Sequence, residues 1–408
     1  MSDFRQAHER AVPMLGERSG PLRDVRVVDF TRALAGPFCT MILADMGADV
    51  IKVETPPHGD ALRLNGPFPE DDTERNCGGY FASNNRNKRS VLLDLDDPVD
   101  LEHVLALIDT ADVIVENFRP GVMESRGLAY ETLRERNPRL VYAAIRGFGD
   151  PRSGRSPHAD WPAFDIVAQA MGGIVSCTGT TTGEHVASGP SIGDLFPAVM
   201  GAVAILGALH HARATGQGQF VDVAMLDAVM ALCESMWWRY SYTGEIQGPR
   251  GTQHPSLCPF EIYRTGTGSV AIAAPTDRQW AELCEIIGRP DLVADERTRS
   301  SRRRVLHREL VTEAIEGWTT ARSTDDVVAD LAGRVPVGPV NTAAELVDSA
   351  HVAARQMLVA VEHPGSERLV VAPNTPLRFS ETPGGVYRRA PKLGEHTAEV
   401  LDEIARLR

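Results

Sequence analysis

The chain has 408 residues, more than one ordinary hydrophobic core holds, so two domains are expected. With 43% hydrophobic and 24% charged residues it has the composition of a globular protein, and its formal net charge of -13 argues against nonspecific binding to nucleic acid. No run of apolar residues approaches the roughly 18 that a membrane span requires, so no membrane partner is expected.

The six cysteines are scattered along the chain and form no CxxC pair. Their spacing argues against a zinc site, and the length of the chain argues against a disulfide framework. The first twenty residues lack the apolar core of a signal peptide. We therefore expect a cytoplasmic protein with free thiols and no bound metal.

From Val25 onwards, short β-rich runs alternate with helical stretches. The predicted strands are 25–29, 50–54, 90–94, 113–116 and 140–145, and the predicted helices are 38–45, 101–108 and 130–136. This alternation is typical of an α/β fold, a Rossmann-like domain with a parallel sheet and helices on its faces. Ligands of such sheets bind at the carboxyl ends of the strands, so the residues after each strand are the candidates for a site.

The pattern of predicted elements changes after the stretch "GEIQGPRGTQHPS". The segment "SLCPFEIYRTGTGSVAIAA" is typical of a β-hairpin with two glycines in its turn, and mixed helices follow it. We therefore predict a large domain in 1–225, a smaller α+β domain in 226–335, and a C-terminal segment, 336–408, that returns to the large domain and ends in an amphipathic helix.

The turn "TRALAGP" follows the first predicted strand, where a dinucleotide site would carry GxGxxG. Only Gly36 is present, which argues against a nicotinamide or flavin cofactor here. A plain tight turn before a helix remains an alternative to any ligand site.

Arginines follow several predicted strands. Arg119 and Arg126 lie in "ENFRPGVMESRG", Arg146 follows the next strand, and Arg63 lies in "GDALR". Guanidinium groups suit phosphate oxygens, so together these side chains predict an anion site on an otherwise acidic protein. Taken one at a time, each is equally well interpreted as solvated surface.

Carboxylates lie beside glycine-rich turns in 164–194, at Asp165, Glu184 and Asp194. Such groups serve as nucleophiles or bases. Asp165 and Asp194 each precede an apolar helix, so helix capping is the simpler interpretation of both.

Taken together, several long motifs resemble the class III CoA-transferase family, which includes formyl-CoA and carnitine CoA-transferases and is related to α-methylacyl-CoA racemase. The matching stretches are "GPLRDVRVVDFTRALAGPFCTMILADMGADVIKVE", "NNRNKRSVLLDL", "VIVENFRPGVMESRGL", "NPRLVYAAIRGFG", "FDIVAQAMGG", "ATGQGQFVDVAMLDA" and "APKLGEHTAEVL". The resemblance implies transfer of CoA from an acyl-CoA thioester to a carboxylic acid.

The resemblance also implies that the Rossmann-like domain binds coenzyme A rather than NAD, and that two chains form an interlocked homodimer. The residues it places at CoA are Ala33, Leu34, Asn117, Phe118, Arg119, Arg126 and Arg146.

The family's aspartate nucleophile follows a pattern like TG-x-x-D-G, which here reads "TGTTTG" and places Thr182 at the aspartate position. A threonine hydroxyl would form an ordinary ester, which would trap the acyl group and could not carry CoA. Glu184, two residues further on, is the candidate replacement, and Asp194 matches an aspartate found in both branches of the family.

Two alternatives remain open. A racemase or isomerase would act at the acyl α-carbon with Asp194 as base, but Phe164 stands before Asp165 where the racemase has histidine, and Asp277 is a candidate for its glutamate. A non-catalytic acyl-CoA binding protein would retain the pocket without the chemistry.

Overall fold

The computed structural model describes residues 4–407, and the chain divides into two units. The larger unit comprises 4–175, 187–242 and 347–407, and the smaller comprises 176–186 and 243–346. The strands are β1 (Val12–Pro13), β2 (Arg26–Asp29), β3 (Asp49–Glu54), β4 (Arg89–Leu92), β5 (Val113–Glu116), β6 (Val141–Arg146), β7 (Phe220–Ala224), β8 (Phe260–Arg264), β9 (Ser269–Ala273), β10 (Val337–Pro339), β11 (Leu358–His363) and β12 (Ser366–Pro373).

Helices separate most of these strands. They are α1 (Phe4–Arg10), α2 (Ala35–Asp45), α3 (Gly79–Asn85), α4 (Pro98–Asp109), α5 (Tyr130–Arg136), α6 (Asp165–Met171), α7 (Ile174–Cys177), α8 (Ile192–Thr215), α9 (Met225–Leu232), α10 (Glu234–Thr243), α11 (Asp277–Ile286), α12 (Asp291–Ala294), α13 (Ser301–Leu306), α14 (Arg308–Thr319), α15 (Thr324–Leu331), α16 (Ala343–Asp348), α17 (Ala350–Ala354) and α18 (Thr397–Leu407). Short 3₁₀ turns lie at Ala61–Leu64 and Glu124–Arg126.

A six-stranded parallel sheet forms the centre of the larger unit, in the order β4-β3-β2-β5-β6-β7. The chain builds outwards from β2 to β4 and then returns to add β5 on the other side of β2. This is the doubly wound strand order, in which ligands bind where the order reverses, at the carboxyl ends of the two central strands. The crevice after β2 and β5 is therefore the place to look for a site.

Alternating residues of these strands fill two cores, one on each face of the sheet. On one face, Val27 and Val115 pack with residues of α2 and α8. On the other face, Val28 and Ile114 pack with residues of α4 and α18. Both faces are thus covered, as parallel sheets require, and the predicted α/β architecture is confirmed.

Helix α8 is long and apolar enough to cross a membrane by length and composition. Its Ala198, Ala202 and Ile205 are nevertheless buried in the core beside the sheet. The helix therefore packs as the core helix of a globular domain does.

The remaining part of the larger unit was less visible in the sequence. Strands β11 and β12 form an antiparallel pair, and β1 adds to β11 in parallel, a small sheet that we did not predict. The predicted C-terminal helix is confirmed as α18, which packs on β4 and α4.

In the smaller unit, β8 and β9 form the predicted antiparallel hairpin, and β10 pairs with the other edge of β9. Helices α11, α14 and α15 supply Trp280, Ile315 and Leu331 to its own core. The predicted domain division stays a prediction. The two compact units have different bounds. Helix α9 packs on β7 and α8 and so belongs to the larger unit, whereas β10 pairs with β9 and so belongs to the smaller unit.

Candidate active site

The turn between β2 and α2 is held by buried charged side chains. Lys52, in β3, is fully buried and donates from Nζ to the carbonyl oxygen of Thr31 at 2.6 Å. The Asp60 carboxylate lies 3.2 Å from the same Nζ and accepts from the backbone N–H of Ala33 at 3.4 Å. Ala33 has a φ of 62°, in the left-handed region that alanine rarely adopts. Side chains from outside the turn therefore fix its conformation.

A pair of hydrogen bonds joins this turn to the end of β5. The backbone N–H of Arg32 donates to Oδ1 of Asn117 at 2.8 Å, and Nδ2 of Asn117 donates to the carbonyl oxygen of Arg32 at 2.7 Å. The guanidinium of Arg32 lies 5.2 Å from the centre of the Phe118 ring. The structure thus brings the predicted residues Ala33, Asn117 and Phe118 together at the crevice where the strand order reverses. Leu34, the next residue of the turn, is buried.

Two of the predicted arginines lie near the surface. Arg119 is exposed, and its guanidinium is in no ion pair within residues 4–407. Arg126 lies 2.9 Å from Asp96 and donates to the carbonyl oxygen of Val122 at 3.1 Å. Arg119 is therefore the more available of the two for an anionic ligand.

The other two arginines are occupied by buried carboxylates. Arg146 pairs with Glu116 at 2.5 Å and also contacts Asp150. Burial raises the pKa of Glu116 to about 7, although Arg146 opposes the shift. Arg63 is paired with Glu54 at 2.5 Å and is almost completely buried. These ion pairs stabilise the fold, and the contact of Arg146 with CoA stays a prediction.

Two aspartates meet where α6 and α8 begin. Asp165 accepts from Nε2 of Gln169 at 2.9 Å and from the backbone N–H of Gly193 at 2.8 Å, so it satisfies a free N–H in the first turn of α8. Asp194, also in that turn, accepts no hydrogen bond within the described residues. Burial, and secondly the charge of Asp165, raise the pKa of Asp194 to about 7. Asp165 thus caps the first turn of α8 rather than α6, the helix that it begins, and Asp194 makes no capping bond within the described residues.

The glycine-rich turn at 178–186, in the smaller unit, carries the other two candidates. Oγ1 of Thr180 lies 2.7 Å from Oγ1 of Thr182 and accepts from the backbone N–H of Glu184 at 3.2 Å. A Cβ on Gly179 would lie 1.9 Å from the carbonyl oxygen of Glu184, so only glycine fits there. Thr182 and Glu184 are both exposed. The turn therefore exposes both candidates, the hydroxyl-bearing Thr182 and the acidic Glu184, to solvent.

The residues considered for a racemase give that alternative no support. Phe164 is 68% exposed and has no side-chain atom that accepts a proton. Asp277 begins α11 in the smaller unit and accepts from the buried Arg304 at 2.9 Å. Its carboxylate is therefore part of an ion pair.

Lys52 and Asp60 are functional candidates that the sequence analysis missed. A lysine inside the apolar strand "VIKVE" is a signal of a buried charge, because burial of an ammonium requires a paired partner. Among the residues that the structure describes, no cluster of three histidine, cysteine or acidic side chains suits a metal ion.

Known proteins resemble the chain over most of its length. Residues 22–397 match the family described as CoA-transferase family III. The chain is 47% identical over 387 residues to a succinyl-CoA:mesaconate CoA-transferase of Haloarcula hispanica, covering 94% of this chain and 96% of the relative. It is 38% identical over 392 residues to a succinate–glutarate CoA-transferase of Agrobacterium fabrum, covering 95% and 96%.

A solved structure, that of a CAIB/BAIF family protein from Brucella suis, superposes with a TM-score of 0.83 at 35% identity, covering 95% of this chain and 100% of that one. The sequence matches and the structural match thus agree on the family. The chain belongs to CoA-transferase family III and is an enzyme that moves CoA from an acyl-CoA thioester to a carboxylic acid.

Proposed function

We propose that this CoA-transferase acts on dicarboxylic acids, with a succinyl-type thioester as donor. The proposal is supported by the names of the relatives, which act on succinyl-CoA and mesaconate or on succinate and glutarate. Such substrates keep one free carboxylate while the other exchanges CoA, so the site needs a cation for the free end.

Arg250 is the side chain that we propose for this role. Within the smaller unit, the backbone N–H of Gly251 donates to the carbonyl oxygen of Gly179 at 2.8 Å, which ties the loop of Arg250 to the turn of Thr182 and Glu184. The guanidinium of Arg250 is 42% exposed and lies 3.0 Å from Glu245, a surface pair that a substrate carboxylate can replace at little cost.

CoA itself is proposed to lie in the crevice after β2 and β5. The turn of Ala33 and Leu34, the Asn117–Phe118 pair and the unpaired Arg119 surround that crevice, and backbone groups there suit the pyrophosphate of a carrier. Arg126 and Arg146 are proposed as outer contacts, since both are already paired with carboxylates.

CoA is proposed to pass from donor to acceptor through a carboxylate of the enzyme. The carboxylate attacks the thioester carbon and releases the CoA thiolate, which leaves a mixed anhydride. The thiolate then attacks the enzyme's own carbonyl, releases the donor acid, and forms an enzyme–CoA thioester for the acceptor. We propose Glu184 as this carboxylate, because it shares the turn in which Thr182 holds the family's nucleophile position. Asp194 is the second candidate, favoured by its raised pKa.

A cytoplasmic homodimer is the proposed state of the protein. None of the six cysteines, all of which lie in the described residues, forms a disulfide. A cavity of ≈ 2100 Å³ within the larger unit is lined by apolar side chains, and an apolar surface of this kind suits a second copy of the chain.

The proposed substrate class is tested with a panel of acids. Purified protein with succinyl-CoA is expected to convert mesaconate and glutarate to thioesters faster than it converts acetate or butyrate, as measured by chromatography of the CoA products. Equal rates with monocarboxylic acids would contradict the dicarboxylate proposal while leaving the transferase activity intact.

A further inference from the structure

A second, strongly charged cavity lies at the other end of the parallel sheet. Arg26, Asp49 and Arg89 are the first residues of β2, β3 and β4, so they mark the amino ends of the strands, opposite the proposed CoA crevice. Together with residues of α18 and of the chain at 16–18 and 387–388, they line a cavity of ≈ 590 Å³ in the larger unit. That volume is in the range of small-molecule sites, roughly 300–1,000 Å³.

Two arginines pair with three acidic side chains on one wall of this cavity. Arg89 lies 2.7 Å from Asp49, 2.7 Å from Glu403 and 2.8 Å from Glu399. Arg26 adds contacts at 3.1 Å to Asp49 and at 3.2 Å to Glu403. These three carboxylates are thus occupied, and they repel an anion less than free carboxylates would.

Three further arginines line the same cavity and have no carboxylate partner within residues 4–407: Arg18, Arg388 and Arg406. Arg18 reaches only the carbonyl oxygen of Gly47, at 3.5 Å, and the half-buried guanidinium of Arg388 lies 6.0 Å from the centre of the Tyr387 ring. A guanidinium group without a carboxylate partner is available to an anionic ligand.

The arginines contribute to shifts in the pKa values of two neighbouring side chains, His396 and Asp49. Burial and, secondly, Arg388 lower the pKa of His396. Burial alone would raise the pKa of Asp49, but Arg89, Arg26 and Arg18 hold it below its usual range. Five arginines and four carboxylates, one of them Glu17, line the cavity, so its lining has a formal charge of +1.

We propose that this cavity is a second anion site, distinct from the CoA crevice, and that it binds a small phosphate ester or polyphosphate. Each guanidinium offers a planar fork of donors that matches two phosphate oxygens, and three such forks suit a ligand with two or more charges. The cavity has room for more than a lone phosphate ion. The three carboxylates on its other wall are paired with Arg26 and Arg89. A ligand would therefore contact Arg18, Arg388 and Arg406.

The test is titration calorimetry of the whole protein with pyrophosphate and with ATP, at low salt in a buffer without phosphate. The unaltered protein is expected to bind at least one of the two probes. Arg388→Gln and Arg406→Gln are each expected to weaken that binding about 10-fold or more, the usual loss for a charge-assisted hydrogen bond. Since Arg406 is exposed, Arg406→Gln keeps the test informative if Arg388→Gln fails to fold.

Two control variants distinguish binding in this cavity from binding elsewhere on the protein. Arg139→Gln removes an exposed, unpaired charge at another place on the larger unit and is expected to leave binding unchanged. Arg119→Gln removes an arginine of the CoA crevice. The proposal is overturned if neither probe binds at millimolar concentration, or if Arg119→Gln abolishes binding while Arg388→Gln and Arg406→Gln do not. Transferase activity is measured in parallel, and its presence or absence does not decide whether this cavity binds an anion.

Discussion

Thr182 and Glu184 stand in one turn, and their chemistry differs in the property that CoA transfer needs. A carboxylate forms an anhydride and then a thioester, both of which stay reactive towards an acid, whereas a threonine ester would be a dead end. Thr180 contacts the hydroxyl of Thr182 and the backbone N–H of Glu184, so both residues belong to the same hydrogen-bonded turn.

Replacing Glu184 with glutamine is therefore expected to lower kcat by about 100-fold or more, since an amide cannot attack the thioester. Adding Thr182→Asp to that variant is expected to restore much of the activity. Rates are measured by formation of the new thioester, and the CoA adduct is located by mass spectrometry of the digested enzyme. Full activity in Glu184→Gln, with the adduct on Asp194, would transfer the role to the second candidate.

Asp194 gives a prediction about pH. Its folded-state pKa, about 7, is raised above the ordinary value of 3.8, so the folded protein holds a proton that the unfolded chain has lost between these values. Its contribution to stability is greatest at low pH and is lost as the pH rises through 7. Asp194→Asn is thus expected to be more favourable for stability at pH 8 than at pH 5. The change in the free energy of unfolding, variant minus unaltered protein, is expected to differ between the two pH values by on the order of 1 kcal/mol. Chemical denaturation at both pH values measures this, and an equal effect at both would contradict the assignment.

Arg250 gives a prediction about specificity. Arg250→Gln is expected to raise KM about 10-fold for a dicarboxylic acceptor, because one charge-assisted contact is lost, and to leave KM for a monocarboxylic acid nearly unchanged. Arg289→Gln is the matched control, since Arg289 is 41% exposed and pairs with Asp291 at 2.8 Å in the same unit. A similar rise for both classes of acid would indicate that Arg250 supports the loop rather than the substrate.

At the scale of elements, the unit of function is the segment from β2 through its turn into α2, joined to the end of β5. Lys52 holds the turn from β3, Asp60 holds it from the loop after β3, and Asn117 holds it from the residue after β5. The left-handed Ala33 persists because these partners fix its neighbours. The crevice is thus shaped before any ligand arrives.

Asn117→Ala removes both bonds to the backbone of Arg32. It is expected to raise KM for the acyl-CoA about 10-fold with a smaller change in kcat, because the binding turn is loosened and the reacting groups are untouched. Asn137→Ala is the control, since Nδ2 of Asn137 donates to the carbonyl oxygen of Ala111 at 2.8 Å, ahead of the amino ends of β5 and β6. Equal changes in KM for both variants would mean that only general stability was measured.

At the scale of the whole molecule, the larger unit exposes several large apolar side chains around one cavity. Val203, on α8, is 57% exposed and lines the cavity of ≈ 2100 Å³. Leu369 and Phe379 line it as well and are also exposed. A second chain seated there would bury this surface.

Light scattering after gel filtration is expected to give the mass of two chains. Val203→Glu is expected to shift the protein towards the mass of one chain, because it places a charge in the apolar cavity. Val99→Glu, at a position that is 63% exposed in the first turn of α4, is expected to leave the dimer intact. A monomeric unaltered protein would contradict the proposed dimer.

The sequence by itself determined the family and the alternation of strands and helices, because both are written in local patterns. Periodicity of apolar residues located the strands that became β2 to β6, and the missing glycine fingerprint argued against a nicotinamide site. The motif count also placed Thr182 where an aspartate is usual.

Only the tertiary structure decided which polar side chains remain available. Arg146 forms an ion pair with Glu116, and Arg63 forms one with Glu54. Arg119 has a similar place in the sequence but forms no ion pair within residues 4–407. The hydrogen bonds between Asn117 and the backbone of Arg32 join residues 85 positions apart, and they can form because β5 lies beside β2. Ion pairs and hydrogen bonds between distant residues follow from strand order, which local sequence patterns do not encode.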